Sequence, residues 1–450
     1  MKFDLNALRH CMEGMVPPIL ATCALDGTPN ISYVSQMEYV NREHIALSFQ
    51  FFNKTRANIL AHPFATAYLT DAETGASYRL SLRFCDTRTE GKLFERMKAR
   101  LAGIASQTGM QGIFHLQGAD VYQVLAVENV ACDSLPPPPP RRNMLCPLRA
   151  AADILGTCSD LDELFDFALQ VLADGFDMPH SMLLMLDSKR DVLYTVASRG
   201  YDETGVGSEV PLGIGVIGVA AAQRVPIRIG FMTSEYRYSR AIHESTTGTA
   251  PHPPAEVPFP GLAEPRSQVA VPVLGNQRLI GVLYADSPED MRFNHLDEDA
   301  LVTFGHLLGA TYLAMQAGCS EDDGEPAAAP APAVALRSAD TPALRLRRYA
   351  EGDVVFANDE YLIKGVAGAV LWKLVGEYTR NQRTDFTNRE LRLDPALGLP
   401  DIDDNLEARL ILLARRLRER CPDVAIEKTG RGRFRLCVQR PLQLDFAAEV

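Results

Sequence analysis

The sequence predicts a multidomain α+β protein, three folded units joined by two linkers. Three observations carry that prediction. Five consecutive prolines at 136–140 follow Asp133-Ser134-Leu135, and polyproline is stiff and extended, so it separates folded bodies. An acidic run rich in alanine and proline fills 319–342, and such a composition cannot bury a core. The chain has 450 residues, which at about 150 residues per domain is enough for three. The expected units are 1–132, 145–318 and 343–443, with linkers at 133–144 and 319–342.

The bulk composition, 46% hydrophobic and 23% charged, is that of ordinary globular protein. No stretch approaches the roughly 20 apolar residues of a membrane span, and the N-terminus lacks a signal-type apolar core. Nine cysteines are scattered without a C-x-x-C pair, as expected of reduced thiols in a cytoplasmic protein. The nine histidines show no H-x-x-x-H pair, so no metal site is expected. Charge is uneven. Residues 341–440 hold 19 Lys and Arg against 15 Asp and Glu, a surplus of four, while the rest hold 26 against 42. A distinct C-terminal module with an anionic partner follows from that asymmetry.

In the first unit, residues 1–15 read as a helix stopped before Pro17-Pro18. Ile19–Ala24 reads as a strand, Asp26-Gly27 as a turn, and Ile31, Tyr33, Ser35, Met37 and Tyr39 alternate as one strand. Ile45, Leu47, Phe49 and Phe51 alternate in the next, and further strands fit 65–70, 78–87 and 121–130, with a helix at 90–105. Short strands of period two with few helices predict a small β-barrel. Between strand and helix lies Asn53-Lys54-Thr55-Arg56-Ala57-Asn58-Ile59. Cations, a hydroxyl and free N–H groups at a helix start make a phosphate cradle.

With Ala21–Asn30 and His62-Pro63, that segment resembles the pyridoxamine 5′-phosphate oxidase-like family, the flavin-binding split barrels. The resemblance implies a homodimer with FMN near the subunit interface; related barrels bind haem or deazaflavin. It places Asn53, Lys54, Thr55 and Arg56 at the phosphate and Ser35, Gln36, Ser48 and Gln50 along the ring or ribityl chain. No residue in this unit reads as a committed acid, base or nucleophile, and flavin chemistry would be the cofactor's own.

In the middle unit, Leu148, Ala152 and Leu155, then Leu161, Leu164, Ala168 and Leu172, fall at helical spacing over 147–172. Strands at 181–186 and 192–197 follow. Gly213, Gly215 and Gly218 spell G-x-G-x-x-G, but neither the preceding strand nor the later acidic residue of a dinucleotide site accompanies them. A tight loop entering a helix is expected instead. Gly213–Gly218, Val225–Arg228, Ser267–Val273, Leu279–Tyr284 and Phe293–Glu298 resemble a GAF domain, a PAS-like α/β sandwich. The resemblance implies a small-molecule effector pocket or a dimerisation module. The cyclic-nucleotide subclass carries Asn-Lys where this chain has Asp286-Ser287, a departure that argues against that ligand. Tyr236, Arg237, Tyr238 and Arg240, beside a proline-rich insert at 247–266, are the candidate effector contacts.

In the third unit, short strands over 345–355 precede a helix at 363–379. Thr387-Asn388-Arg389-Glu390 is a capping box. A long helix over 401–420 is dense in arginine, and 424–436 reads as a basic hairpin. Together these describe a winged helix-turn-helix and resemble the C-terminal effector domain of response regulators. The resemblance implies DNA contacts from Arg409, Arg415 and Arg416 on the helix and from Lys428, Arg431 and Arg433 on the wing. Asp401, Asp403 and Asp404 at the helix start depart from it, since acids suit a helix N-terminus but not one facing phosphates.

The expected function is a cytoplasmic sensory transcriptional regulator that couples FMN-type cofactor or small-molecule binding to DNA binding. The alternatives are an FMN-dependent oxidoreductase regulated by the GAF module and a non-catalytic signalling scaffold.

Overall fold

A computed structural model describes residues 4–12, 16–50, 54–107, 115–137, 142–230, 257–321, 342–397, 399 and 406–447.

The first unit, expected as a barrel, is a seven-stranded antiparallel sheet. Its strands are β1 (Ile19–Cys23), β2 (Pro29–Tyr33), β3 (Met37–Asn41), β4 (His44–Phe49), β5 (Phe64–Thr70), β6 (Ser77–Arg88) and β7 (Gly118–Val130), in the order β2-β1-β5-β6-β7-β4-β3. Helix α1 (Lys54–Ala61) follows β4, and α2 (Lys92–Gln107) joins β6 to β7. Leu20, Ile45, Leu69, Leu80 and Leu82 close the barrel core.

Two expectations change here. The helix expected over 1–15 is described over Leu5–Met12 and is a 3-10 helix. Leu5, Leu8 and Cys11 are its buried residues along with Met12, and a spacing of three matches three residues per turn. The alternating run 31–39 is two strands. β2 pairs with β1, and β3 pairs with β4 at the other edge. Ile31 and Tyr33 are exposed while Met37 is buried. The chain therefore changes edge at 34–36, where Val34-Ser35-Gln36 interrupts the alternation.

The middle unit opens with α3 (Leu145–Leu155) and α4 (Leu161–Gln170). Its antiparallel sheet has β8 (Ser181–Asp187), β9 (Val192–Arg199), β10 (Glu209–Pro211), β11 (Ile227–Ile229), β12 (Ser267–Gly275) and β13 (Arg278–Ser287) in the order β10-β9-β8-β13-β12-β11. Helix α5 (Gly215–Gln223) covers one face, and α3, α4 and α6 (His295–Glu321) cover the other. The glycine run is a tight loop into α5. Gly213 has φ +81, and a Cβ on Gly218 would lie 2.2 Å from the Pro211 carbonyl oxygen.

The third unit has two sheets around α7 (Gly365–Asn381), α8 (Asn388–Arg392) and α9 (Leu406–Arg420). One contains β14 (Leu344–Tyr349), β15 (Val354–Ala357), β16 (Glu360–Ile363) and β20 (Leu442–Ala447). The other contains β17 (Asp385–Thr387), β18 (Val424–Gly430) and β19 (Arg433–Val438). β20 runs parallel to β14, so the unit extends past 443. The N-cap half of the capping box forms: Thr387 Oγ1 accepts from the Glu390 backbone amide at 3.2 Å, and the Thr387 hydroxyl lies 3.2 Å from Glu390 Oε2. Residues 401–405, with the three aspartates, lie outside the described residues.

One hydrophobic core is continuous from the middle unit into the third, taking in Phe165, Leu172 and Phe304 along with Leu371, Leu413 and Leu417.

Candidate functional site

The barrel and the third unit bring sequence-derived residues together; the middle-unit candidates lie outside the described residues.

In the barrel, a cavity of about 80 Å³ lies between β2, β4 and the start of α1. Ser35, Ser48, Gln50, Thr55 and Arg56 line it. Gln36 is buried beside it, its amide bonded to Ser48 Oγ at 3.1 Å. The Gln36 side-chain oxygen and both polar atoms of the Gln50 side-chain amide are buried without a hydrogen-bond partner among the described residues, an unfavourable state for an amide. Thr55 Oγ1 accepts from Asn30 Nδ2 at 2.8 Å and shares a hydrogen bond with Ser32 at 3.0 Å. Arg56 does not stand as a free cation. It pairs with Asp120, donates to Thr87 Oγ1 at 2.7 Å, and lies 4.5 Å from the Phe49 ring centroid. Lys54 is exposed, and Asn53 lies outside the described residues. Asp120 escaped the sequence reading; its signal is an acid inside the apolar run Gly118-Ala119-Asp120-Val121-Tyr122. Burial first, and the Asp120 charge second, push the Tyr122 phenol well up, so it stays neutral.

In the middle unit, Tyr236, Arg237, Tyr238 and Arg240 lie outside the described residues. Asp286, at the position where Asn-Lys was absent, is buried. It accepts from the Tyr201 phenol at 2.9 Å and from the Leu262 amide at 3.2 Å. Burial pushes its carboxyl up, although those two donors pull the other way. The residue therefore pins the segment around 262 to the sheet. Glu298, from the Phe293–Glu298 motif, is also committed: it pairs with Arg228 at 3.1 Å and with Arg100 of α2 at 2.5 Å.

In the third unit, Arg409, Arg415, Arg416 and Lys428, all assigned to DNA, are engaged within the chain. Arg409 is buried, pairs with Asp187 of β8 at 3.3 Å and lies 6.0 Å from the Tyr194 ring centroid. Arg415 pairs with Asp162 at 2.5 Å and Asp166 at 2.6 Å, both on α4. Arg416 is buried and donates to the Leu362 carbonyl at 2.9 Å; burial lowers its guanidinium pKa. Lys428 pairs with Asp160 at 2.9 Å. Burial pushes the Asp160 carboxyl up, but the Glu163 amide and Lys428 together hold it below its usual range. Arg431 is exposed at the hairpin turn, and Arg433 lines a cavity of about 400 Å³ between α9, the hairpin and α4. The carboxylates were missed because 147–172 was read for its apolar positions; Asp160 is the N-cap of α4, a role visible in Asp160-Leu161-Asp162-Glu163.

Among the described residues no group of three or more His, Cys, Asp or Glu could hold a metal ion, and no helix is long and apolar enough to cross a membrane.

No curated protein matches the chain. Among solved structures, the GAF domain of Acinetobacter phosphoenolpyruvate-protein phosphotransferase is 20% identical at a TM-score of 0.31, covering 39% of this chain and 97% of that one. Free methionine-R-sulfoxide reductase from Neisseria meningitidis is 21% identical at a TM-score of 0.30, covering 39% and 91%. An FMN-binding protein from Syntrophomonas wolfei is 20% identical at a TM-score of 0.24, covering 29% and 89%. Residues 158–311 match the family model of the GAF domain, so the middle unit of this chain carries a GAF domain.

Proposed function

We propose that this chain is a sensory regulator whose winged-helix domain binds DNA under the control of the barrel and the GAF domain. The observation that carries this reading is the engagement of its helix and hairpin cations by carboxylates of the middle unit: Arg415 by Asp162 and Asp166, Lys428 by Asp160 and Arg409 by Asp187. Carboxylates arrayed against cations of the reading helix occupy the groups that phosphates would otherwise meet. The closed arrangement is then the resting state, and an effector acts by favouring an open one. Two winged helices on a homodimer would meet paired half-sites.

The barrel suits an FMN-type cofactor in part. Gln36 and Gln50 offer polar atoms without partners to a ring edge, and Thr55 offers a hydroxyl at a helix start. Arg56 is neutralised by Asp120, which leaves Lys54 as the cation for a phosphate. The cavity, about 80 Å³, is far below the roughly 300 Å³ at which ligand pockets begin. A second copy of the chain would supply the missing wall. Tyr33 lines the cavity yet is exposed on edge strand β2 beside Ile31, an apolar rim fit for that copy. When bound, FMN would supply redox chemistry or a redox-sensitive signal.

The test is binding of the full chain to labelled duplex DNA at several salt concentrations. Arg431→Ala should weaken binding on all sequences and lower the salt slope by about one. No binding in any salt, with or without the Asp160, Asp162 and Asp166 carboxylates, sinks the reading. The absorbance spectrum of the purified chain separates flavin from haem, and a colourless protein makes the barrel a dimerisation module.

A further inference from the structure

The barrel and the GAF domain meet along a second cleft, distinct from the barrel cavity and from the winged-helix junction. It encloses about 600 Å³, inside the range of roughly 300–1,000 Å³ typical of small-molecule sites.

Its walls carry an excess of positive charge. Helix α2 presents Lys92, Arg96 and Arg100 at successive fourth positions, a like-charge row that costs a few tenths of a kcal/mol per pair unless something neutralises it. Arg9 joins them from the barrel, and Arg224 and Arg228 from the GAF domain. Three carboxylates oppose these six cations. Glu38 takes Arg96 and Arg100, Glu298 takes Arg100 and Arg228, and Asp299 takes Arg9, each pairing 2.5–3.1 Å long. The wall is therefore three charges in surplus, in a chain whose net charge is −12.

The surplus is concentrated at the mouth. Lys92 and Arg224 are exposed. Neither forms an ion pair among the described residues; the Arg224 guanidinium donates to the Gln277 carbonyl at 3.1 Å. Arg224 also holds the left-handed conformation, φ +54, at the C-terminus of α5. That conformation is unfavourable for a residue with a Cβ and is often kept where a side chain has work to do.

We propose that this cleft binds a multiply charged small anion, a phosphate-bearing metabolite, with Lys92 and Arg224 as its direct partners and Arg9 and Arg96 behind them. A bound anion would neutralise the row on α2 and tie the barrel to the GAF domain through the same ion-pair layer. The site does not depend on DNA binding.

The probe is tripolyphosphate, titrated calorimetrically into the full chain at fixed ionic strength. Saturable binding at one site per chain is expected. Lys92→Gln with Arg224→Gln should weaken it at least tenfold; both side chains are exposed and hold no carboxylate, so the variant should keep the melting temperature of the parent. Arg431→Ala with Arg433→Ala, and separately Lys54→Ala, should leave it within twofold. The proposal is overturned if tripolyphosphate does not bind, or if the hairpin or Lys54 variants abolish binding while the cleft variant retains it.

Discussion

Replacing Asp162 and Asp166 together by asparagine should raise the fraction of chains in which the C-terminal unit is open from the GAF domain. Arg415 is 12% exposed, whereas Asp162 and Asp166 are 48% and 70% exposed. Each pair is thus wetted on the acidic side and worth about 0.5–1 kcal/mol after solvent screening. Both together bias the closed state by roughly 1–2 kcal/mol, a factor of about 5–30 in its population. When the closed state dominates, apparent DNA affinity scales with the open fraction. The double variant should therefore bind duplex roughly 5–30-fold more tightly than the parent in a fluorescence anisotropy titration. Its plot of log affinity against log salt should be steeper by about 0.9 for each cation newly free to meet a phosphate. Salt weakens the closing pairs of the parent as well, which makes the parental slope shallower still. Affinity within twofold of the parent, together with an unchanged slope, would refute the idea that these carboxylates hold the domain shut. Arg409 and Asp187 are poor choices for this experiment. Both are buried, and breaking a buried pair costs about 3–5 kcal/mol on its own, so loss of folding would mask any gain in binding.

Three further outcomes follow from the same contacts. Asp286→Ala leaves the Tyr201 phenol and the Leu262 amide without their acceptor and should destabilise the GAF domain by about 1–3 kcal/mol in urea; adding Tyr201→Phe should then cost much less than it does alone. Glu298→Gln keeps the shape but leaves Arg100 and Arg228 short of a counter-charge, and should cost about 3 kcal/mol; a loss under about 1 kcal/mol would refute the reading of this junction as a buried ion pair. The Asp160 carboxyl is depressed in the fold, so its contribution is complete above the unfolded value of about 3.9 and fades as pH falls through the folded value. Hydrogen exchange in β18 should accordingly stay flat from pH 7 to about 4.5 and rise only below that, once corrected for intrinsic rates; a rise between pH 7 and 5 would assign the closing contact to other groups.

Much of the fold was legible because it rests on local periodicity. Leu161, Leu164, Ala168 and Leu172, spaced as a helix face, are all buried. The glycines at 213, 215 and 218 read as a loop because the sequence around them lacked the partners of a nucleotide site, and α5 does begin there. What failed was non-local. The run 31–39 was read as one alternation, yet its two halves pair at opposite edges of the sheet, and Val34-Ser35-Gln36 breaks the alternation where they part. Ile31 and Tyr33 look like core residues and are exposed. Period two tells which side chains share a face of a strand; it says nothing about where the strand ends or which face is covered.

The charged residues show the same limit more sharply. The surplus of four over 341–440 called for an anionic partner. A helix dense in arginine looks identical in sequence whether its counter-charge is a phosphate or an aspartate 250 residues away. The two readings make different demands, however. Cations that meet only DNA need no acids of the same chain at matching height. Here Asp160, the N-cap of α4, stands opposite Lys428, and Asp162 and Asp166, one turn apart on α4, stand opposite Arg415. An acidic GAF domain, 22 Asp and Glu against 11 Lys and Arg over 145–318, joined to a basic terminal unit is the arrangement expected when one chain supplies both the anion-binding surface and its competitor. On that argument the charge asymmetry bears on regulation as well as on binding, because the strength of the internal pairs sets how large an effector signal must be to expose the basic face.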